Sequence, residues 1–377
     1  MDIYRDLGVR PVINAAATLT ALGGLALADE VVEAMVSASR SSVDLVELHA
    51  AAGERLAALT LNEGAYVTTG CAAGIVLAVL ACMTGGDPRR IADLPGAGQL
   101  VRRVVIHRAH RIPYDRAVEF AGGELVEIGN VIQTFEWELE RALEVPTAAL
   151  LWVAGAHLPQ QAAISLERCV ALCHERDVPV VVDAAAQLPP VSNLWHFTRE
   201  VGADLALFSG GKALRGPQAS GLMLGCPELL AAAAANASPH QRLARALKVG
   251  KEEICGLVAA VQRYVGLDHI ALGAHYEAVV AGWATALQNV PGVEVRRSFP
   301  NEAGQPVPRL EIALSAGRAP CTRDELVRRL REGEPRVAVL AGAGDRLYVT
   351  PDTLATKDEE DFVLERLIDA LGGEERR

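Results

Sequence analysis

This sequence is short of positive charge. Lys and Arg number 36 against 47 Asp and Glu, a formal net charge of −11 over 377 residues. Such a balance does not supply the clustered cations that nucleic-acid phosphates or anionic membranes require, so neither is the expected partner. Long apolar runs are also missing. The longest, residues 74–83, is about half a membrane span. The opening Met1-Asp-Ile-Tyr-Arg-Asp lacks the basic stretch and apolar core of a secretion signal. Paired cysteine spacings are absent too: Cys71, Cys82, Cys169, Cys173, Cys226, Cys255 and Cys321 are scattered, which fits reduced thiols. Cys169 and Cys173, beside His174, read as a core pair and not as a metal site. A cytoplasmic protein without a bound metal is expected. The chain has no internal repeat, no low-complexity linker, no Walker A spacing and no Gly-x-Gly-x-x-Gly.

What the sequence does have is alternation. Half of it is hydrophobic and only 22% charged, which excludes a disordered chain. Short β-branched runs at 101–107, 124–128, 148–154, 178–183, 205–209 and 221–224 read as strands, with a helix over 165–176. Apolar runs of this length, separated by helices, mark a mostly parallel sheet buried on both faces. Residues 241–265 read as a helical hinge. Beyond it, strands are expected at 293–299, 309–314, 337–340 and 346–349, with helices at 323–331 and 357–371. The expected organisation is an N-terminal arm and helix over 1–50, a large α/β domain over 51–265 and a smaller C-terminal α+β domain over 266–377.

Four segments carry chemistry. Lys212 follows the run Leu205-Ala-Leu-Phe-Ser-Gly-Gly and enters a Gly-Pro loop. A lysine at the carboxyl end of a sheet strand stands where open α/β folds place ligands. Desolvated there, it can form a Schiff base with a carbonyl cofactor. Asp183 ends the run Val178-Pro-Val-Val-Val-Asp, and a buried carboxylate needs a partner, such as a protonated pyridine nitrogen. Thr68-Thr-Gly-Cys-Ala-Ala-Gly leads into an apolar helix, so the amides of Gly70, Cys71 and Ala72 form a candidate anion site, to which Ser209 could add a hydroxyl. His107 and His110 follow a strand. Either imidazole could stack on a cofactor ring, with His110 preferred, and no acidic third ligand nearby supports a metal.

The order of these segments resembles fold type I pyridoxal-phosphate enzymes, and more narrowly the bacterial selenocysteine synthase-like group that includes D-glucosaminate-6-phosphate ammonia-lyase. The resemblance is carried by Pro11-Val-Ile-Asn-Ala-Ala-Ala-Thr-Leu-Thr-Ala-Leu-Gly-Gly, by Thr68-Thr-Gly-Cys-Ala-Ala-Gly and by Gly123-Glu-Leu-Val-Glu-Ile-Gly. It is carried further by Val182-Asp-Ala-Ala-Ala-Gln-Leu-Pro-Pro and, most specifically, by Phe208-Ser-Gly-Gly-Lys-Ala-Leu-Arg-Gly-Pro-Gln. It spans about residues 5–372. It implies a large, mostly parallel, seven-stranded type of sheet with a small C-terminal domain, and pyridoxal 5'-phosphate as cofactor. By the resemblance Lys212 carries the Schiff base and Asp183 pairs with the ring nitrogen. Gln187 reaches the phenolic oxygen, Gly216 and Pro217 touch the neighbouring subunit's cofactor phosphate, and Asn14 and Thr18 line the substrate entrance. Arg346, at the start of a C-terminal strand, is the candidate for a substrate carboxylate, with Arg10 and Arg215 as rivals. Ala17, where relatives often have Gly, and Cys71 in the phosphate turn depart from the pattern.

The expected activity is α,β-elimination, ammonia-lyase-like, on a small amino acid or amino-sugar acid. Its catalytic residues are Lys212, Asp183 and His110, in a homodimer or larger homo-oligomer with the site at the interface. The alternatives are selenocysteine synthesis on seryl-tRNA, racemisation or transamination, and a binding protein that has lost catalysis.

Overall fold

The computed structural model describes residues 3–96, 100–155 and 157–372. Strand β1 (Val12–Asn14) does not stand alone as an arm: it pairs in parallel with a strand near the C-terminus, Val12 opposite Arg336. Contacts therefore divide the chain into two units. One holds the chain up to Ala26, then Leu267–Glu302 and the chain from Pro306 on; the other holds Leu27–Gly266 with Ala303–Gln305. This redraws the expected arm of residues 1–50. Its first part finds its backbone partners at the far end of the sequence. Its helix Asp29–Ser39 lies instead on helix Lys251–Val265, where a Cβ on Gly256 would reach within 2.8 Å of the Met35 side chain.

The larger unit is built on seven strands: β2 (Gly64–Thr68), β3 (Arg103–His107), β4 (Glu124–Ile128), β5 (Ala149–Val153), β6 (Val180–Asp183), β7 (Leu205–Ser209) and β8 (Gly221–Gly225). Their order across the sheet is β2-β8-β7-β6-β5-β3-β4. All pairs are parallel except those of β8, which runs against both β2 and β7. The central strands are apolar at nearly every position because helices cover both faces. Helix Cys71–Thr84 packs its buried Ile75, Leu77 and Leu80 against this sheet.

The smaller unit has strands β9 (Val293–Ser298), β10 (Arg309–Leu314), β11 (Arg336–Ala338), β12 (Leu340–Ala341) and β13 (Arg346–Val349). Four of them form an antiparallel sheet in the order β12-β13-β10-β9, while β11 takes β1. Helices His269–Leu287, Arg323–Glu332 and Lys357–Gly372 supply the rest of its core, including Trp283, Leu326 and Leu367. Among the described residues, no helix is long and apolar enough to cross a membrane.

Candidate active site

Strands β2, β5, β6 and β7 end on the same side of the large sheet, because the single reversed strand β8 leaves β2 parallel to the others. The carboxyl ends of parallel strands are where open α/β sheets hold ligands. Asp183, the last residue of β6, lies at that edge, in register between Val153 of β5 and Leu207 of β7. It is only 4% exposed. Its Oδ1 accepts the Ala185 N–H at 3.1 Å and faces the Cys71 thiol at 3.5 Å. Its Oδ2 accepts no hydrogen bond among the described residues. Burial raises the Asp183 pKa above the ordinary carboxylate value; the Ala185 amide, the Cys71 thiol and the charges of Lys212 and His157 oppose this.

Lys212 lies on the loop that joins β7 to β8. The loop is tied to itself. Gly210 N–H donates to Ser220 O (2.9 Å), Gly216 N–H to Gly210 O (2.8 Å), Arg215 N–H to Lys212 O (2.8 Å) and Ser220 Oγ to Pro217 O (2.6 Å). A Cβ at Gly210 would collide with the Ser220 side chain, and one at Gly211 would come 2.5 Å from Gln218 Oε1, so both positions need glycine. The half-buried Lys212 makes no ion pair among the described residues, and its charge acts on both Asp183 and Cys71.

Helix Cys71–Thr84 begins beside this pair. Gly70 caps it with φ 118° and offers no side chain, and helix geometry leaves the first amides without carbonyl partners. Thr68 Oγ1 donates to Gly70 O at 2.8 Å, which fixes the turn. A Cβ on Gly221 of β8 would lie 2.6 Å from the Gly70 carbonyl carbon and 2.9 Å from Cys71 N, so strand and helix start touch backbone to backbone. Burial first, and then the Asp183 charge, push the Cys71 thiol well above its ordinary pKa; it stays protonated and is a donor.

These residues fit pyridoxal phosphate. Among the described residues, the buried carboxylate keeps one oxygen free for a ring nitrogen, a lysine without an ion pair stands near it, and helix amides without a side-chain cap suit a phosphate. Gly70, Cys71, Ala72, Asp183, Ser209 and Lys212 all lie at this edge of the sheet. Gln187 is close by, but its Nε2 donates to the carbonyls of Ala186 (3.2 Å) and Ala303 (3.3 Å).

The two histidines are tied into the protein. His107 and His110 are fully buried. His107 Nε2 accepts the Ile164 N–H at 3.2 Å. His110 Nδ1 accepts the Val153 N–H at 3.3 Å, and its Nε2 meets Gln160 Oε1 at 3.1 Å. His110 also stands edge-on to Trp152, with ring centroids 5.0 Å apart. Both nitrogens of His110 are committed to the protein, so the ring ties the helical turn after β3 to β5 and has no nitrogen left over for a ligand. The exposed histidine of this region is His157, just past β5, whose charge acts on Asp183 and whose ring occupies the space a Cβ on Gly155 would take. Sequence pattern does not single it out. Its one signal is a histidine four residues beyond the strand next to the Asp183 strand.

Gly216 and Pro217 follow Lys212 in the same loop. Both are buried: the Gly216 amide is spent on Gly210, and Pro217 packs on Gly256. In the smaller unit, Asn14 closes its own turn, donating to Ala17 O (2.9 Å) and accepting the Ala16 N–H (3.0 Å). Thr18 follows that turn, half-buried. Arg346 is not a free guanidinium. Its Nε lies 3.4 Å from Oε1 of the buried Glu311, which Arg296 also reaches at 2.8 Å. Arg10 pairs with Glu334 at 3.3 Å on the surface.

A family model described as L-seryl-tRNA selenium transferase (SelA) matches residues 12–272. The chain is 34% identical over 380 residues to a 5'-C-glycyluridine monooxygenase-decarboxylase of Streptomyces sp, covering 98% of this chain and 93% of the relative. It is 33% identical over 337 residues to the D-glucosaminate-6-phosphate ammonia lyase of Salmonella typhimurium, covering 88% of each. A solved structure of D-glucosaminate-6-phosphate ammonia-lyase superposes with a TM-score of 0.86 at 31% identity, over 99% of this chain and 98% of that one.

Proposed function

The chain belongs to the L-seryl-tRNA selenium transferase (SelA) family, and on that premise we propose that it is a lyase that releases ammonia from a small amino acid or amino-sugar acid. It is a pyridoxal-phosphate-dependent enzyme of fold type I. The observation that carries the reading is the meeting of Asp183, Lys212 and an uncapped helix start at one edge of the sheet. When bound, pyridoxal phosphate supplies an electron sink for the bonds of the substrate's α-carbon.

The residues divide the work. Asp183 Oδ2 would hold a proton on the ring nitrogen. The amides of Cys71 and Ala72, with the Ser209 hydroxyl, bind the phosphate. Lys212 would hold the cofactor's carbonyl carbon, the position that a substrate amine takes over. Its freed Nζ then stands as the base for the α-proton. The proton taken from the α-carbon returns through Lys212 to the departing β-hydroxyl, which leaves as water. Lys212 would retake its place on the cofactor as the product leaves as an enamine, which water hydrolyses to an oxo acid and ammonia.

A second reading rests on the likeness to the glycyluridine monooxygenase-decarboxylase. There the same Lys212–Asp183 pair would serve loss of the α-carboxylate. Incubating the holoenzyme with a panel of hydroxy-amino acids and amino-sugar acids separates the two. Ammonia with equimolar oxo acid supports elimination; carbon dioxide without oxo acid supports the second reading and overturns the first.

The proposal includes a homo-oligomer with its site at the subunit contact, and a cytoplasmic location. The exposed Val32, Val36, Val43 and Val46 support a subunit contact on the larger unit, and seven free cysteines support a reducing compartment. A sedimentation run showing only monomer would remove the oligomer.

A further inference from the structure

The thiol of Cys71 sits where none of its chemistry as a nucleophile is usable. It is held protonated, its backbone is pinned between Gly70 and Gly221, and it points at a carboxylate. Its partner is one particular oxygen. Asp183 Oδ1 takes both the Ala185 N–H at 3.1 Å and the Cys71 S–H at 3.5 Å, whereas Oδ2 takes neither. Two donors on the same oxygen resist rotation of the carboxylate about its Cβ–Cγ bond. They also stabilise its charged form, since hydrogen bonds to a carboxylate favour ionisation.

We propose that Cys71 is a positioning residue for Asp183: its thiol donates to Oδ1, fixes the carboxylate plane and leaves Oδ2 aimed at the cofactor's ring nitrogen. This rests on the reading of Asp183 as the ring nitrogen's partner. The consequence is chemical as well as geometric. A carboxylate that loses a donor in a buried site becomes more basic, and the proton shared with the ring nitrogen moves towards it. The ring nitrogen then keeps less of its positive charge. A thiol is a weak donor, so the effect is modest and a hydroxyl at the same place restores it.

The test compares Cys71→Ala, Cys71→Ser and Asp183→Asn with the wild-type holoenzyme. Pyridoxal phosphate is the probe. Its dissociation constant is read from the visible absorption band, the pH midpoint of that band is read by titration, and apoenzyme melting serves as the control for packing. Cys71→Ala weakens cofactor binding about fivefold, equivalent to ~1 kcal/mol, and moves the pH midpoint. Cys71→Ser stays within about twofold of wild type on both readouts. Asp183→Asn loses cofactor affinity more than either. Equal losses in the Ala and Ser variants would reduce Cys71 to packing and overturn the inference. So would wild-type affinity and pH midpoint in Cys71→Ala while Asp183→Asn is impaired. Unchanged binding in Asp183→Asn would sink the reading of the site itself, a result distinguishable from the other two.

Discussion

The imidazole rings of His107 and His110 lie 5.0 Å apart, tilted by 58°, inside the large unit. Burial lowers the pKa of His107 to about 3 and that of His110 to about 4. Both stay neutral in the folded protein down to about pH 4.

Acid should therefore unfold the protein through these rings. In the unfolded chain each histidine takes a proton near pH 6.5, whereas the folded state resists until about pH 3–4. The unfolded state binds more protons in that window, so stability is full above about pH 6.5 and falls as the pH drops through it. Each ring contributes at most ~1.4 kcal/mol per pH unit. Urea midpoints measured between pH 7 and 4 should show a shallower acid decline in His110→Gln than in wild type. An equal decline would place the acid sensitivity elsewhere.

Lys212 should be the only lysine to carry the cofactor. Borohydride reduction of the holoenzyme, followed by peptide mapping, is expected to find the pyridoxyl group on Lys212, and Lys212→Ala should lose essentially all turnover. A label on Lys248, Lys251 or Lys357 would move the site.

Asp183→Asn keeps the shape of the side chain and removes its charge. The expected fall in kcat is about 10²-fold, roughly 3 kcal/mol of transition-state stabilisation. Activity close to wild type would mean that no carboxylate is needed behind the ring nitrogen.

Two glycines should respond in opposite directions. Gly221→Ala drives a methyl group to 2.6 Å from the Gly70 carbonyl carbon, and backbone cannot yield as a side-chain tip can. A loss of about 1–3 kcal/mol is expected, with weaker cofactor binding because the helix start moves. Gly273, inside helix His269–Leu287, has nothing within 4 Å of the place a methyl group would take. Gly273→Ala should gain about 0.5–1 kcal/mol. Chemical denaturation of both variants checks the pair, and a neutral Gly221→Ala would contradict the tight contact.

Much of this was legible before folding. The strands around Asp183 and Lys212 are written in β-branched runs, and the glycines beside Lys212 announce a loop that needs them. What local pattern could not tell was which histidine faces inward. His110 and His157 both follow strands, and only the packing of His107 and His110 against Ile164, Val153 and Gln160 separates them from the exposed His157. The ion pair of Arg346 is hidden from local pattern for a similar reason. Its partner Glu311 is brought close by the antiparallel register of β10 and β13, a pairing between distant segments. The same holds for β1, whose mate β11 lies near the other end of the chain.

The reversed direction of β8 also bears on kinetics. Because β7 and β8 are adjacent and antiparallel, the Lys212 segment is the connection of a hairpin with both ends clamped in the sheet. Its conformational entropy is surrendered when the protein folds, and little remains to be lost when a ligand arrives. Capture of the cofactor should then be a collision with a stiff receptor, with an association rate set by encounter and not by loop closure. Amide hydrogen exchange across 210–220 should be nearly as slow in the apoenzyme as in the holoenzyme.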